Sequence, residues 1–187
     1  AEQTHILACL PSVSRTDDSR FAVSLLNTYL GGGMSSVLFQ EIRENRGLAY
    51  SVFSNVACFS DIGLMSIYLA TASSDVEKCL DLVGKEIVKL KKQKLTKQSL
   101  ELLKNSLKGT LTINLDNIEN RMMELAKNEL FYKRRIPLSE TIRKIDQVTA
   151  EEIRLVARKY FKSDKLVGAM LGPKPKAKHF EKLSDKL

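Results

Sequence analysis

Four short segments of the chain are rich in aliphatic, aromatic and β-branched side chains, which is typical of strands. The first ends at Pro11, and the last ends at Gly172 and Pro173. The second and third are separated only by residues 60–63 (SDIG), a connection suited to a hairpin turn. This pattern predicts four β-strands, over residues 4–10, 50–59, 64–70 and 166–171.

Seven longer segments repeat apolar side chains at intervals of three and four residues, which is the spacing of one helix face. Residues 74–77 (SDVE) and 149–152 (TAEE) both match a capping box, in which an N-cap hydroxyl and a Glu three residues later satisfy free N–H groups. A break is predicted near residues 114–117. The predicted helices cover about residues 21–30, 35–44, 76–90, 97–111, 117–132, 138–145 and 150–161.

The order of these elements is β–α–α–β–β, then several helices, then β. A lone hairpin is not stable in water, so the strands need one another and a helical cover. The pattern therefore predicts an α+β fold with a mostly antiparallel sheet covered on one face by helices. We expect residues 1–173 to form a single domain and residues 174–187 to be a basic, frayed tail.

The chain has a formal net charge of +8, and the basic excess lies in its second half. Such an excess could attract nucleic acid, but no aromatic side chains are interleaved with the lysines as stacking surfaces, so a solvated helix face is the better interpretation. No apolar run approaches the ~18 residues of a membrane span, and we expect no membrane partner. The chain begins without Met or an apolar signal, which suggests a fragment or a processed chain.

The sequence offers no complete set of catalytic or metal-binding residues. Its two histidines, His5 and His179, have no His or Glu partner at helical spacing, so we expect no metal site and interpret His5 as structural. The cysteines Cys9, Cys58 and Cys79 are odd in number and lie on apolar stretches, which favours free thiols in a reducing compartment. That fits bacterial cytoplasm, or alternatively the mitochondrial matrix.

Residues 31–36 (GGGMSS) form a glycine-rich segment that invites a phosphate-binding interpretation. However, the segment lacks the Gly-Lys-Ser/Thr ending and follows a helix rather than a strand, so we do not expect a nucleotide site. One glycine would suffice to end the helix. The excess of glycine indicates either a mobile hinge or a place where a ligand approaches the backbone closely.

The 25-residue segment Leu30–Ser54 (LGGGMSSVLFQEIRENRGLAYSVFS) resembles the C-terminal half of the pitrilysin/insulinase-like zinc metallopeptidases. The short bacterial members and the mitochondrial processing peptidase subunits are most similar. The likeness extends over nearly the whole chain, through residues 2–5, 17–30, 114–130, 145–152 and 171–173. It implies one α+β half of a molecule or heterodimer whose two similar halves close on each other.

In that family the N-terminal half carries a His-x-x-Glu-His zinc motif, which this chain lacks. The resemblance therefore implies the inactive half, with zinc held by the complementary half or partner subunit. It also implies that this half lends an Arg and a Tyr seven residues apart to the active site, here Arg43 and Tyr50. Substrate contacts are expected at Gly31, Gly32, Gly33, Ser35 and Ser36. One departure from the family pattern is Val37, where Arg is usual.

Two functions remain open at this stage. The first is the substrate-binding half of a zinc endopeptidase acting on peptides or presequences, inactive when isolated. The second is a non-catalytic core or assembly subunit that kept the peptidase fold. The Arg43–Tyr50 pair favours the first, because a structural half has no need of both. In either case we expect an exposed apolar face, and hence self-association of the isolated chain.

Overall fold

The structure, a computed structural model, describes residues 3–173, 176 and 178–187. Its four strands form one sheet in the order β2-β3-β1-β4, and each neighbouring pair is antiparallel. The strands are β1 (Thr4–Ser12), β2 (Ala49–Cys58), β3 (Gly63–Thr71) and β4 (Val167–Leu171). The predicted α+β class with an antiparallel sheet is confirmed.

The helices occupy the segments between the strands and the C-terminal end of the chain. One is a π-helix over Phe39–Glu44, and a short 3-10 turn covers Ser163–Lys165. The α-helices are α1 (Arg20–Leu30), α2 (Val76–Lys92), α3 (Lys97–Asp116), α4 (Ile118–Tyr132), α5 (Leu138–Gln147), α6 (Ala150–Tyr160) and α7 (His179–Ser184). No described helix is long and apolar enough to cross a bilayer.

The core lies between one face of the sheet and the helices, where α1 packs on β2, α2 on β3 and α6 on β1. Alternate residues of β1 and β3 point into it, as the two-residue period of a strand requires. The opposite face is open, and Tyr68 stacks there on Phe53 with 4.9 Å between ring centroids. The Tyr68 hydroxyl lies 2.7 Å from His5 Nδ1, which gives this imidazole a structural partner.

Of the two capping boxes predicted from the sequence, the one at the start of α6 forms and the one at the start of α2 does not. Thr149 Oγ1 accepts from the Glu152 backbone N–H at 3.2 Å, and the Thr149 N–H donates to the Glu152 carboxylate at 2.7 Å, so this capping box forms. The predicted box over residues 74–77 is wrong. Helix α2 starts after Asp75, whose side chain does not cap it and instead pairs with Lys78 at 2.9 Å.

Strand β1 continues two residues past its predicted end, through Pro11 to Ser12. β4 pairs only with residues His5–Cys9, so Pro11 has a neighbouring strand on one side only. Proline, which has no N–H to donate, is tolerated at such an edge.

The chain end packs on the domain through α7, where we had expected a frayed tail. Leu183 is fully buried against α2, and Phe180 covers Gly168 in β4. Lys182 pairs with Glu77 of α2 at 2.6 Å. The other part of the predicted tail, Lys174, Pro175 and Ala177, lies outside the described residues.

Candidate functional site

Arg43 lies on the last turn of the π-helix, which Ile42 anchors in the core with a fully buried side chain. The wide turn is visible at its end, where the Asn45 N–H donates to the Gln40 carbonyl at 2.8 Å, five residues back. The Gly47 N–H then donates to the Arg43 carbonyl at 2.9 Å, and Gly47 has a φ of +60°, a conformation that favours glycine. Arg43 is therefore held on a hydrogen-bonded helix end.

Tyr50 occupies a β-bulge near the start of β2. Ala49 pairs with Thr71 and Ser51 pairs with Ala70, which leaves Tyr50 without a partner across the sheet. A bulge re-aims the side chain of its extra residue, and the Tyr50 side chain is 74% exposed. β2 is one of the two edge strands of the described sheet, so Tyr50 lies at a sheet edge.

The structure brings Arg43 and Tyr50 together. The Arg43 Cζ atom lies 5.5 Å from the centroid of the Tyr50 ring and 4.8 Å from that of Phe39. Its Nε lies 3.8 Å from the Glu44 carboxylate, an exposed ion pair of small energetic weight. Within the described residues, neither the guanidinium nor the phenol makes a hydrogen bond, so both groups are free to donate to an acceptor.

The three glycines differ in what fixes them. Gly31 is buried and its carbonyl accepts from the Ser54 N–H of β2 at 2.9 Å, and a Cβ on Gly31 would lie 2.4 Å from that nitrogen. A Cβ on Gly32 would lie 2.7 Å from Thr28 Cα, in the last turns of α1. A Cβ on Gly33 would meet nothing within 4 Å. A side chain at Gly31 or Gly32 would therefore clash with neighbouring atoms, whereas a methyl group at Gly33 would not.

The two serines of this loop also differ. Ser36 is buried, and its hydroxyl donates to the Gly33 carbonyl at 2.6 Å, so it serves the structure of the loop. Ser35 is exposed. The Gln40 side chain donates to the Met34 carbonyl at 2.7 Å and ties the loop to the π-helix. The loop, the π-helix and the start of β2 thus form one continuous surface.

Sequence reasoning missed Phe39, which stacks on Arg43, and Gln40, which holds the loop. The three- and four-residue apolar spacing marked Phe39 only as a core position. Gln40 has no sequence signal, because its contact with Met34 depends on the path of the loop.

Near this surface, hydrogen bonding from Arg46 lowers the pKa of the Glu41 carboxyl. The described residues bring together no group of three or more His, Cys, Asp or Glu side chains that could hold a metal ion.

Residues 1–107 match the family model described as the peptidase M16 inactive domain. A zinc protease of Mycobacterium bovis is 38% identical over 173 residues, covering 92% of this chain and 39% of the relative. A zinc protease of Bacillus subtilis is 32% identical over 163 residues, covering 87% of this chain and 40% of the relative.

Among solved structures, the peptidase M16 inactive domain from Pseudomonas fluorescens matches with a TM-score of 0.79 and 28% identity, covering 94% of this chain and 42% of that one. The chain thus spans about two fifths of the length of its curated relatives. Taken with the sheet and its helical cover, these similarities show that the chain belongs to the peptidase M16, or pitrilysin, family, as its C-terminal inactive domain.

Proposed function

We propose that this chain is the substrate-binding, non-zinc half of a zinc endopeptidase that cleaves peptides or presequences. In this proposal Arg43 and Tyr50 reach across the interface into an active site completed by an N-terminal half or a partner subunit. The observation that carries the proposal is their geometry. Two exposed donors lie side by side on hydrogen-bonded elements, and neither makes a hydrogen bond to a described residue.

The chemistry of peptide hydrolysis calls for such donors. Attack of water on a peptide carbonyl builds negative charge on the carbonyl oxygen, and fixed N–H and O–H groups aimed at that oxygen lower the barrier. The Arg43 guanidinium and the Tyr50 phenol both supply hydrogen bonds to an oxyanion. Rigid placement matters because a misplaced donor stabilises the transition state poorly.

Activation of the water is assigned to zinc in the complementary half. The described residues of this chain offer no donor set that fits a zinc ion, so no step of the reaction is assigned to zinc on this chain. Zinc lowers the pKa of a bound water and polarises a carbonyl oxygen when it is present.

The bacterial relatives and the free cysteines support bacterial cytoplasm as the location.

The glycine-rich loop is proposed to contact the substrate backbone, through the exposed Gly32, Gly33 and Ser35. Ser36 supports the loop from beneath, since its hydroxyl already donates to Gly33. Gly33→Ala is the variant that tests this role, because a methyl group there meets no neighbouring atom. We expect it to raise KM by stiffening the loop and to leave kcat and folding nearly unchanged.

The experiment is Tyr50→Phe in the complete enzyme, with Tyr160→Phe on α6 as the matched control. Loss of one oxyanion donor should lower kcat by ~10²-fold or more, and thermal unfolding should not change because the phenol is exposed. Arg43→Gln should act in the same direction. If both variants keep full activity, the pair is only a mark of the fold, and the core or assembly subunit becomes the better description.

A further inference from the structure

A cavity lined by polar and apolar side chains lies on the helix-covered side of the sheet, far from the candidate site. It has a volume of about 280 Å³ and lies between α1, α3, α4, α5 and the end of β2. Cys58, the last residue of β2, lines this cavity. Cys58 is eight residues from Tyr50, or about 26 Å along an extended strand. A ligand in the cavity would therefore be separate from one at Arg43 and Tyr50.

Two arginines line the cavity against one carboxylate. The Arg15 Nη2 donates to both Glu124 oxygens at 2.9 and 3.0 Å, while its Nε is buried without a partner in the described part of the chain. The Arg20 Nη1 donates to the Asp17 carbonyl at 3.1 Å. The nearest carboxylate to Arg20 belongs to the solvent-exposed Asp18, at 4.0 Å. The cavity therefore carries a net positive charge and unused N–H donors.

The rest of the lining combines an amide with apolar surface. Asn128 is almost fully buried, and its amide makes no hydrogen bond to any described residue. Asn128 lies on the cavity lining, and the N–H groups of an amide can donate to a ligand there. Next to the polar groups, Leu107 and Leu111 of α3 and Ile136 form an apolar wall.

We propose that this cavity binds a carboxylate carried on a short aliphatic body. The Arg20 guanidinium holds the carboxylate, because its planar set of N–H donors matches the two oxygens, and Arg15, whose Nη2 is engaged by Glu124, adds positive charge beside it. The Asn128 amide donates a further hydrogen bond. The aliphatic part lies on Leu107 and Leu111, where it is removed from water. This combination of a few polar groups with an apolar wall is typical of small-molecule sites.

Binding in this cavity can be tested by the reactivity of the Cys58 thiol, which lines it. Hexanoate is titrated into the chain while alkylation of Cys58 by iodoacetamide is followed by peptide mass spectrometry. If the bound state is unreactive, a ligand concentration of about ten times Kd slows the labelling of Cys58 about tenfold. Cys9, on the open face of the sheet, serves as the internal control and should label at an unchanged rate. Hexanol, which has the same aliphatic body without the charge, should protect neither thiol.

Arginine variants test whether protection of Cys58 arises from binding in this cavity. Arg20→Gln and Arg15→Gln should abolish protection by hexanoate, while Arg154→Gln, which removes a guanidinium on α6, should keep it. Equal protection by hexanol and hexanoate would contradict a carboxylate site, and so would absence of protection in the unmodified chain. Protection of Cys9 together with Cys58 would show a nonspecific effect and overturn the proposal as well. The comparison of hexanoate with hexanol needs no variant, so the test survives if an arginine variant fails to fold.

Discussion

Helix α2 and the α3–α4 pair have similar apolar periodicity and very different surroundings. α2 has 17 residues and buries eight of them between the sheet, α6 and α7. α3 has 20 residues and buries only Leu100 and Lys104, and α4 has 15 residues and buries only Asn128. The three- and four-residue spacing of apolar side chains thus predicts that a segment is helical, but it does not say that the apolar face is covered.

The uncovered side chains on α3 and α4 form an apolar surface that the domain itself leaves open. Ile118, for example, is 83% exposed. Contiguous apolar surface on a folded domain usually marks an interaction site. Its members are Leu102, Ile113, Ile118, Met122, Met123, Leu125 and Leu130. We propose that the other half of the enzyme covers part of this surface, and that the isolated chain covers it by self-association.

The largest contrast is expected in stability. Ile87→Ala in α2 should lower the free energy of unfolding by about 2–5 kcal/mol, because it leaves a cavity in a fully buried site. Ile113→Ala in α3 should change it by only about 0.5 kcal/mol, because that side chain is exposed. Chemical denaturation of both variants is the measurement. Equal losses would mean that α3 is covered as thoroughly as α2.

The glycine-rich loop offers a similar pair of sites within a few residues. Gly31→Ala should cost about 1–3 kcal/mol, because the added methyl group would lie 2.4 Å from a backbone nitrogen of β2. Gly33→Ala should fold at least as stably as the parent chain, since its methyl group meets nothing. Denaturation midpoints of the two variants compare them directly, and a destabilised Gly33→Ala would contradict the loop geometry.

The apolar surface on α3 and α4 can be tested by its effect on association. A triple variant with Ile113→Gln, Ile118→Gln and Met122→Gln should weaken self-association about tenfold or more, because it removes exposed apolar area from the contact. Leu155→Gln on α6 is the control, since Leu155 is 50% exposed and lies on another helix. Sedimentation velocity over a range of concentrations measures both. A similar effect in the control variant would exclude the α3–α4 surface as the contact.

The smallest effect concerns the charges that join α7 to α2. Hydrogen bonding from Lys182 lowers the pKa of Glu77, and hydrogen bonding from Lys186 lowers the pKa of Asp81. A carboxyl whose pKa is lowered by folding stabilises the fold above its unfolded pKa, and this stabilisation is lost as pH falls through the folded pKa. The loss should therefore occur below the ordinary Glu value of 4.5.

The expected change is small because Glu77 is exposed and screened by solvent. Glu77→Gln combined with Asp81→Asn should lower the thermal midpoint slightly at pH 6. The difference from the parent chain should disappear at acidic pH, where the parent carboxyls are protonated as well. A difference of the same size at both pH values would show that charge is not its cause.

Much of the fold could be predicted, because the spacing of apolar residues along most segments matches the positions that the structure buries. In the part of the chain that the structure describes, all four strands and six of the seven α-helices follow from periodicity, and Thr149 caps α6 as predicted. α7 was missed because its few apolar residues, such as Phe180 and Leu183, give a weak pattern in a lysine-rich segment. Its position depends on long-range packing against α2 and β4.

The candidate site could be predicted only in part, for the same reason. The resemblance to the pitrilysin family singled out Arg43 and Tyr50 as candidates, but neither the π-helix nor the β-bulge has a signal in a single sequence. Both depend on how Ile42 and the register of β2 fit the finished core. The cavity at Arg15 and Arg20 was not predicted either, because it joins residues from five separate elements.

The central claim, that Arg43 and Tyr50 act on the transition state, is tested most directly by comparing two ligands of the complete enzyme. One is a peptide substrate, and the other is a phosphinate peptide that imitates the tetrahedral oxyanion. Tyr50→Phe should weaken phosphinate binding by ~10²-fold while KM for the substrate stays nearly constant, because the donor is used only when the oxyanion forms. If the variant binds both ligands as tightly as the parent enzyme does, or if the binding of both is weakened equally, Tyr50 does not stabilise the transition state.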